Sequence, residues 1–244
     1  MQTPLLAVIG LIFLLAGAVK GVSGMGLPTL SMALLGLWMP AGTAAALMVL
    51  PSLLTNIAQC LGPHARPLAR RLWPLWLGLA LATVFSPLPD LGAAGPGARL
   101  ALGTVLLVYG GWGLARPTLP QLQRRAGPLG AAAGLLSGLL TAATGVFVMP
   151  LVPYLQALRL EREAMIQALG LSFTIATVAL ALRLGRMEAG LGVDPLACGI
   201  GIAAAFAGLA AGARLRRHLQ PAAFQRALYG VFLALGLLTV ARAL

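Results

Sequence analysis

Apolar stretches close to the length of a bilayer crossing recur along this whole chain, with very few charged residues between them. They run approximately over 4–19, 28–38, 41–62, 72–88, 98–115, 127–140, 148–158, 163–184, 195–212 and 222–241. Charged residues make up 9% of the 244 positions and the mean hydropathy is +0.94. A soluble domain carries roughly 25% charge, so this chain lacks the polar groups to coat itself in water. The expected fold class is an all-α polytopic membrane protein, because helices satisfy their own backbone groups in lipid. The 31 glycines and 17 prolines suit such a bundle, where small residues let helices approach closely.

The formal charge of +12 raises nucleic acid as a partner. The basic residues instead form short clusters between apolar runs: Arg66, Arg70, Arg71; Arg124, Arg125; Arg214, Arg216, Arg217. That is how cytoplasmic loops orient a membrane protein, so the expected partners are the lipid bilayer and a small anion, and no nucleic acid. Cys60 and Cys198 stand alone in apolar segments without metal-ligand spacing, and read as small buried hydrophobes. No metal and no cofactor is expected. Ala16-Gly17-Ala18 resembles a signal-peptide cleavage site, but no Lys or Arg precedes it, so cleavage is not expected.

Two apolar segments, 28–38 and 148–158, are too short to span about 30 Å of hydrocarbon. Each follows a longer one after a polar, turn-prone interruption, GVSGMGLP in the first case and TAATGVFVMP in the second. If 4–38 and 127–158 each cross once, there are eight crossings, and the sixteen arginines divide nine inside and seven outside. If each folds back as a re-entrant hairpin, there are six crossings. The arginines then divide twelve inside and four outside, with both termini outside. The bias of basic loops favours the hairpins. Each half then holds one hairpin and three crossings, an odd number, so the halves are expected to be inverted repeats. Residues 1–120 form the N-terminal repeat and 121–244 the C-terminal one, within a single transmembrane domain. Residues 17–37 faintly echo 134–160. Matching interrupted helices in inverted repeats mark the binding site of many secondary transporters.

Pro28 and Pro150 sit near the starts of the short segments, where proline is tolerated. Each short helix would present free N–H groups and a partial positive charge. In the hairpin topology these N-termini are expected to face each other mid-membrane as an anion site. Lys20 falls at the break in what would otherwise be a membrane helix, and no Asp or Glu lies deep in a segment: Asp90, Glu161, Glu163, Glu188 and Asp194 all fall at loops or ends. A bound anion is therefore a plausible partner for it. The competing reading is a lysine that snorkels to the interface. Gly21, Ser23, Gly24 and Gly26 surround it; these glycines allow a sharp turn close to a ligand, or close helix packing.

The following crossing supplies Pro51, Ser52, Thr55, Asn56 and Gln59 at helical spacing, and its counterpart supplies Gln167, Ser172 and Thr174. These neutral groups suit reversible anion binding or bonds between helices, and at Ser172 and Thr174 bonds between helices are the first reading. Thr141, Thr144 and Gly145 form the second interruption. His64 and His218 lie in loops far apart, and no catalytic constellation shares one depth, so an enzyme is not expected.

The segments VKGVSGMGLPTLSMALLG, LMVLPSLLTNIAQ, GLLTAATGVFVMPLVPYLQALRL and EAMIQALGLSFTIATVALAL resemble the TauE/SafE sulfite exporter (TSUP) family, in order and over nearly the whole chain. The resemblance implies transport of sulfite, sulfoacetate and other sulfonates, or thiosulfate, across a bacterial inner membrane. It places the family's motifs on Lys20, Gly21, Gly24, Gly26, Leu27 and Pro28, on Pro51, Ser52, Asn56 and Gln59, and on Gly138, Gly145, Pro150 and Gln167. Thr141-Ala142-Ala143-Thr144 stands where many relatives are richer in glycine. The expected function is a secondary transporter working by alternating access, with a passive anion channel or a non-transporting scaffold as alternatives.

Overall fold

The structure, a computed structural model, describes residues 3–89, 91, 95–115, 119, 122, 126–186 and 192–243. The expected boundary between halves at 120/121 lies outside the described residues, as do Asp90, Glu188, Arg116, Arg124 and Arg125. Ten helices are described and no strand: α1 (Thr3–Ser23), α2 (Leu27–Leu35), α3 (Ala41–Cys60), α4 (Ala65–Val84), α5 (Gly95–Ala115), α6 (Ala126–Thr144), α7 (Leu151–Ala157), α8 (Arg162–Gly185), α9 (Pro195–Leu215) and α10 (Pro221–Ala241). Asp194 starts α9 by accepting from the Leu196 N–H at 3.0 Å.

Seven of the described helices have the length and composition to cross a membrane: α1, α3, α5, α6, α8, α9 and α10. The protein is a multi-pass helical membrane protein. The helix α4 is 20 residues long, but its first two turns carry Arg66, Arg70 and Arg71. Both short segments are separate short helices, as expected. Their longer partners differ from expectation. The apolar runs end at 19 and 140, yet the helices continue to Ser23 and Thr144. Nothing in AVKGVS or LTAAT breaks a helix before the hydroxyl–glycine pair, so Lys20 is carried inside α1 rather than into the turn. At 1.5 Å per residue α1 is about 31 Å long.

Contacts along the helices fix their directions. Lys20 meets Thr55 and Asn56, and Gly24 meets Gln59, so α1 and α3 run the same way and α2 carries the chain back between them. The pairs Gly134 with Leu75 and Gly138 with Leu79 make α6 parallel to α4. Trp76 with Ser172 and Thr83 with Arg183 make α8 parallel to α4 as well, so α7 also returns the chain. These are the directions of the hairpin arrangement. The described arginines then fall nine at the end where α3 finishes (66, 70, 71, 159, 162, 214, 216, 217, 226) and four at the other (99, 183, 186, 242).

Small residues set the tightest contacts. A Cβ on Gly17 would lie 2.3 Å from the Ala205 carbonyl oxygen, and one on Gly138 would lie 2.5 Å from that of Leu79. Thus α1 lies on α9 as α6 lies on α4, while α3 packs on α8 and α5 on α10. Exchanging α1–α5 with α6–α10 swaps the α1–α9 and α4–α6 pairs and carries α3–α8 and α5–α10 each onto itself.

Candidate functional site

The first hairpin turns on a hydroxyl followed by glycine. The Ser23 hydroxyl donates to the Val19 carbonyl at 2.8 Å and accepts from the Met25 N–H at 3.3 Å, which closes α1. Gly24 follows at φ +79° and Gly26 at φ +103°, the left-handed region that side chains disfavour. Gly26 caps α2, and Pro28 occupies its first turn. The Gln59 amide locks the turn by donating to the Gly24 carbonyl at 2.8 Å.

One turn earlier, Lys20 is 1% exposed and points to α3 rather than to the membrane surface. Its ammonium donates to Thr55 Oγ1 at 3.0 Å and to Asn56 Oδ1. Both acceptors are neutral. Thr55 passes its own proton to the Pro51 carbonyl at 2.7 Å. Three polar atoms of the same helix are buried without a partner among the described residues: Ser52 Oγ, Asn56 Nδ2 and Gln59 Oε1. Unmade hydrogen bonds in a dry interior are costly and uncommon. Here they share one helix with the ammonium's two acceptors, a pattern that suits a polar guest.

Other expected site residues are engaged elsewhere. Gly21 faces α9: a Cβ there would lie 2.3 Å from the Leu209 carbonyl oxygen, so it serves helix contact. Gln167 is spent on the end of α3, accepting from the His64 N–H at 3.0 Å and donating to the Cys60 and Gly62 carbonyls at 2.9 and 3.0 Å. Ser172 accepts from the Trp76 indole at 2.8 Å. The second hairpin closes like the first: Thr144 donates to Leu140, accepts from the Val146 N–H, and Gly145 follows at φ +71°. Thr141 is buried and donates to Ser137 at 2.6 Å.

The expected face-to-face meeting of the two short helices is not what these contacts give. Gly145 packs on the Met32 side chain, midway along α2, while the 24–26 turn meets Gln59. The helix α7 packs on α6 and α8, and α2 on α1, α3, α5 and α10. The long arms overrun their apolar segments and carry the turns past one another. In addition, α7 has only seven residues, with Pro150 as its cap.

A family model described as Sulfite exporter TauE/SafE matches residues 9–239. The chain belongs to the sulfite exporter TauE/SafE family. No curated protein and no solved structure matches it. The match takes in both hairpins and the Lys20 cluster, so these are parts of a membrane transporter of the kind the family's name describes.

Beside the first turn of this TauE/SafE protein opens a cavity of about 770 Å³. Its walls include Gly24, Met25, Gln156, Arg162, Arg216 and Arg217, contributed by the first hairpin, α7, α8 and the α9–α10 connection. Sequence reasoning used Arg162, Arg216 and Arg217 only to orient the loops. Their clustering as basic residues was legible, but their meeting at the Gly24 turn depends on helix directions.

Proposed function

We propose that this protein is a secondary transporter that binds a small sulfur-containing anion, such as sulfite or an organosulfonate, at the polar cluster around Lys20. The single observation that carries this reading is the buried ammonium held, among the described residues, by neutral oxygens of α3, the helix that also bears polar atoms without a partner there. A charge in hydrocarbon is strongly disfavoured without a counter-charge, and an anion supplies one. Ser52 Oγ and Asn56 Nδ2 then donate to the anion's oxygens, and Gln59 holds the turn that closes the site. The arginines of the cavity raise the local anion concentration at the mouth, as charge lining a cleft does. The Gly24, Gly26 and Pro28 backbone shapes this entrance, while Thr141, Thr144 and Gly145 form the corresponding turn of the other half.

The two halves are read as oppositely inserted repeats in the inner membrane, with the end bearing nine described arginines facing the cytoplasm. Alternating access then consists of one hairpin loosening while its counterpart stays packed, a movement that suits two copies of one motif. The absence of any carboxylate from α1, α2, α3, α6 and α7 supports coupling through something other than an Asp or Glu relay.

The test is uptake by purified protein in lipid vesicles, with sulfite, methanesulfonate and a carboxylate control. Saturable flux of the sulfur anions, reduced about tenfold to a hundredfold by Lys20→Gln, is the expected outcome. Flux that does not saturate identifies a channel, and no flux at all identifies a scaffold. Either result overturns the reading.

A further inference from the structure

Lys20 and Thr141 hold corresponding places in the two hairpins. Each lies three residues before the hydroxyl of a matching turn, Ser23–Gly24 or Thr144–Gly145. Both side chains are buried. Only one carries charge. Across α1, α2, α3, α6 and α7, Lys20 is the sole charged residue. Arg183, the other cation buried among the described residues, is held at the far end of α4 by the Thr83, Ser86 and Leu88 carbonyls. The groups beside Lys20 that lack partners, Ser52 Oγ and Asn56 Nδ2, are neutral.

From this count we infer that the site admits anions bearing one negative charge and rejects those bearing two. The inference rests on the reading that Lys20 faces the anion. One ammonium neutralises one charge, and neutral donors stabilise oxygens without cancelling a second. A dianion brings an uncompensated charge into an apolar bundle, where desolvation outweighs what neutral hydrogen bonds return. The substrate class is therefore the hydrogen sulfite and monosulfonate ions. Sulfate, thiosulfate and fully ionised sulfite are excluded, although their sulfur–oxygen groups offer similar acceptors.

The experiment uses the full-length protein in vesicles and compares methanesulfonate, which keeps one charge throughout, with sulfate, which keeps two. Sulfite is measured over a pH series, because acid converts the dianion to hydrogen sulfite. The titratable side chains on the helices packed against α1 are Cys60 on α3 and Cys198 and Arg214 on α9, with none on α2. The methanesulfonate rate over the same series reports any change in the protein itself. The expected result is a preference for methanesulfonate over sulfate of about a hundredfold or more. Sulfite flux, normalised to methanesulfonate, should follow the hydrogen sulfite fraction.

Sulfate carried as fast as methanesulfonate, with both lost in Lys20→Gln, overturns the single-charge rule and leaves the Lys20 reading standing. Methanesulfonate carried by Lys20→Gln at the wild-type rate removes the Lys20 reading itself.

Discussion

The two hairpins are built alike and equipped differently. Each long helix ends on a hydroxyl that bonds back one turn and caps the N–H two residues ahead, followed by a glycine at positive φ. Each packs through glycine on a helix from the other half. One turn before the break, however, the first hairpin has an ammonium reaching across to α3, whereas Thr141 in the second bonds only its own helix. The shared features fix the path of the chain. The differing one is where the proposed site lies, and the charge there has no counterpart at Thr141.

The sharpest break in that comparison is a pair of variants. Lys20→Gln should lower sulfur-anion flux by about tenfold to a hundredfold in vesicles, while Thr141→Ala should change it by less than about threefold. Equal losses in both would mean that the halves share the site. Next in size is packing. Gly21→Val pushes side-chain atoms into the α9 backbone and should cost about 3 kcal/mol, read as a lower unfolding temperature in detergent. The corresponding position already holds Ala142, fully buried, which shows that the second interface accepts a Cβ there.

A smaller effect is expected at the cavity mouth. Replacing Arg216 and Arg217 together by glutamine should raise KM a few-fold, with the difference shrinking as salt is added. An unchanged KM would separate the cavity from the anion's route. The smallest expected effect concerns the common turns: Ser23→Ala and Thr144→Ala should each lower stability by about 1 kcal/mol in thermal unfolding. Unequal losses would show that the two breaks bear different loads.

Much of the fold was legible before any coordinates. Both short helices and the helical content followed from apolar run lengths, and the hairpin directions from which end the arginines favoured. The helix ends were less so. The arms α1 and α6 run four residues past their apolar segments, because nothing breaks either helix before its hydroxyl–glycine pair and, in α1, buried hydrogen-bond acceptors hold Lys20 inside the bundle. Of the proposed site, Lys20, Asn56 and Gln59 were readable as polar groups out of place in a membrane helix. Gly21 and Gln167 look identical to site residues in the sequence, yet one faces a neighbouring backbone and the other a helix end.

The sequence alone therefore determined the solvent in which this chain folds, its division into long and short helices, and the presence of one cation where none is tolerated unpaired. Those follow from composition and run length, which are local. Only the tertiary structure decided that Lys20 bonds Thr55 and Asn56, that the 24–26 turn opens onto Arg162, Arg216 and Arg217, and that the two breaks pass one another. Each of these depends on which helix lies beside which and in what register, and that is set by glycine contacts between segments distant in the chain, such as Gly17 with Ala205 and Gly138 with Leu79.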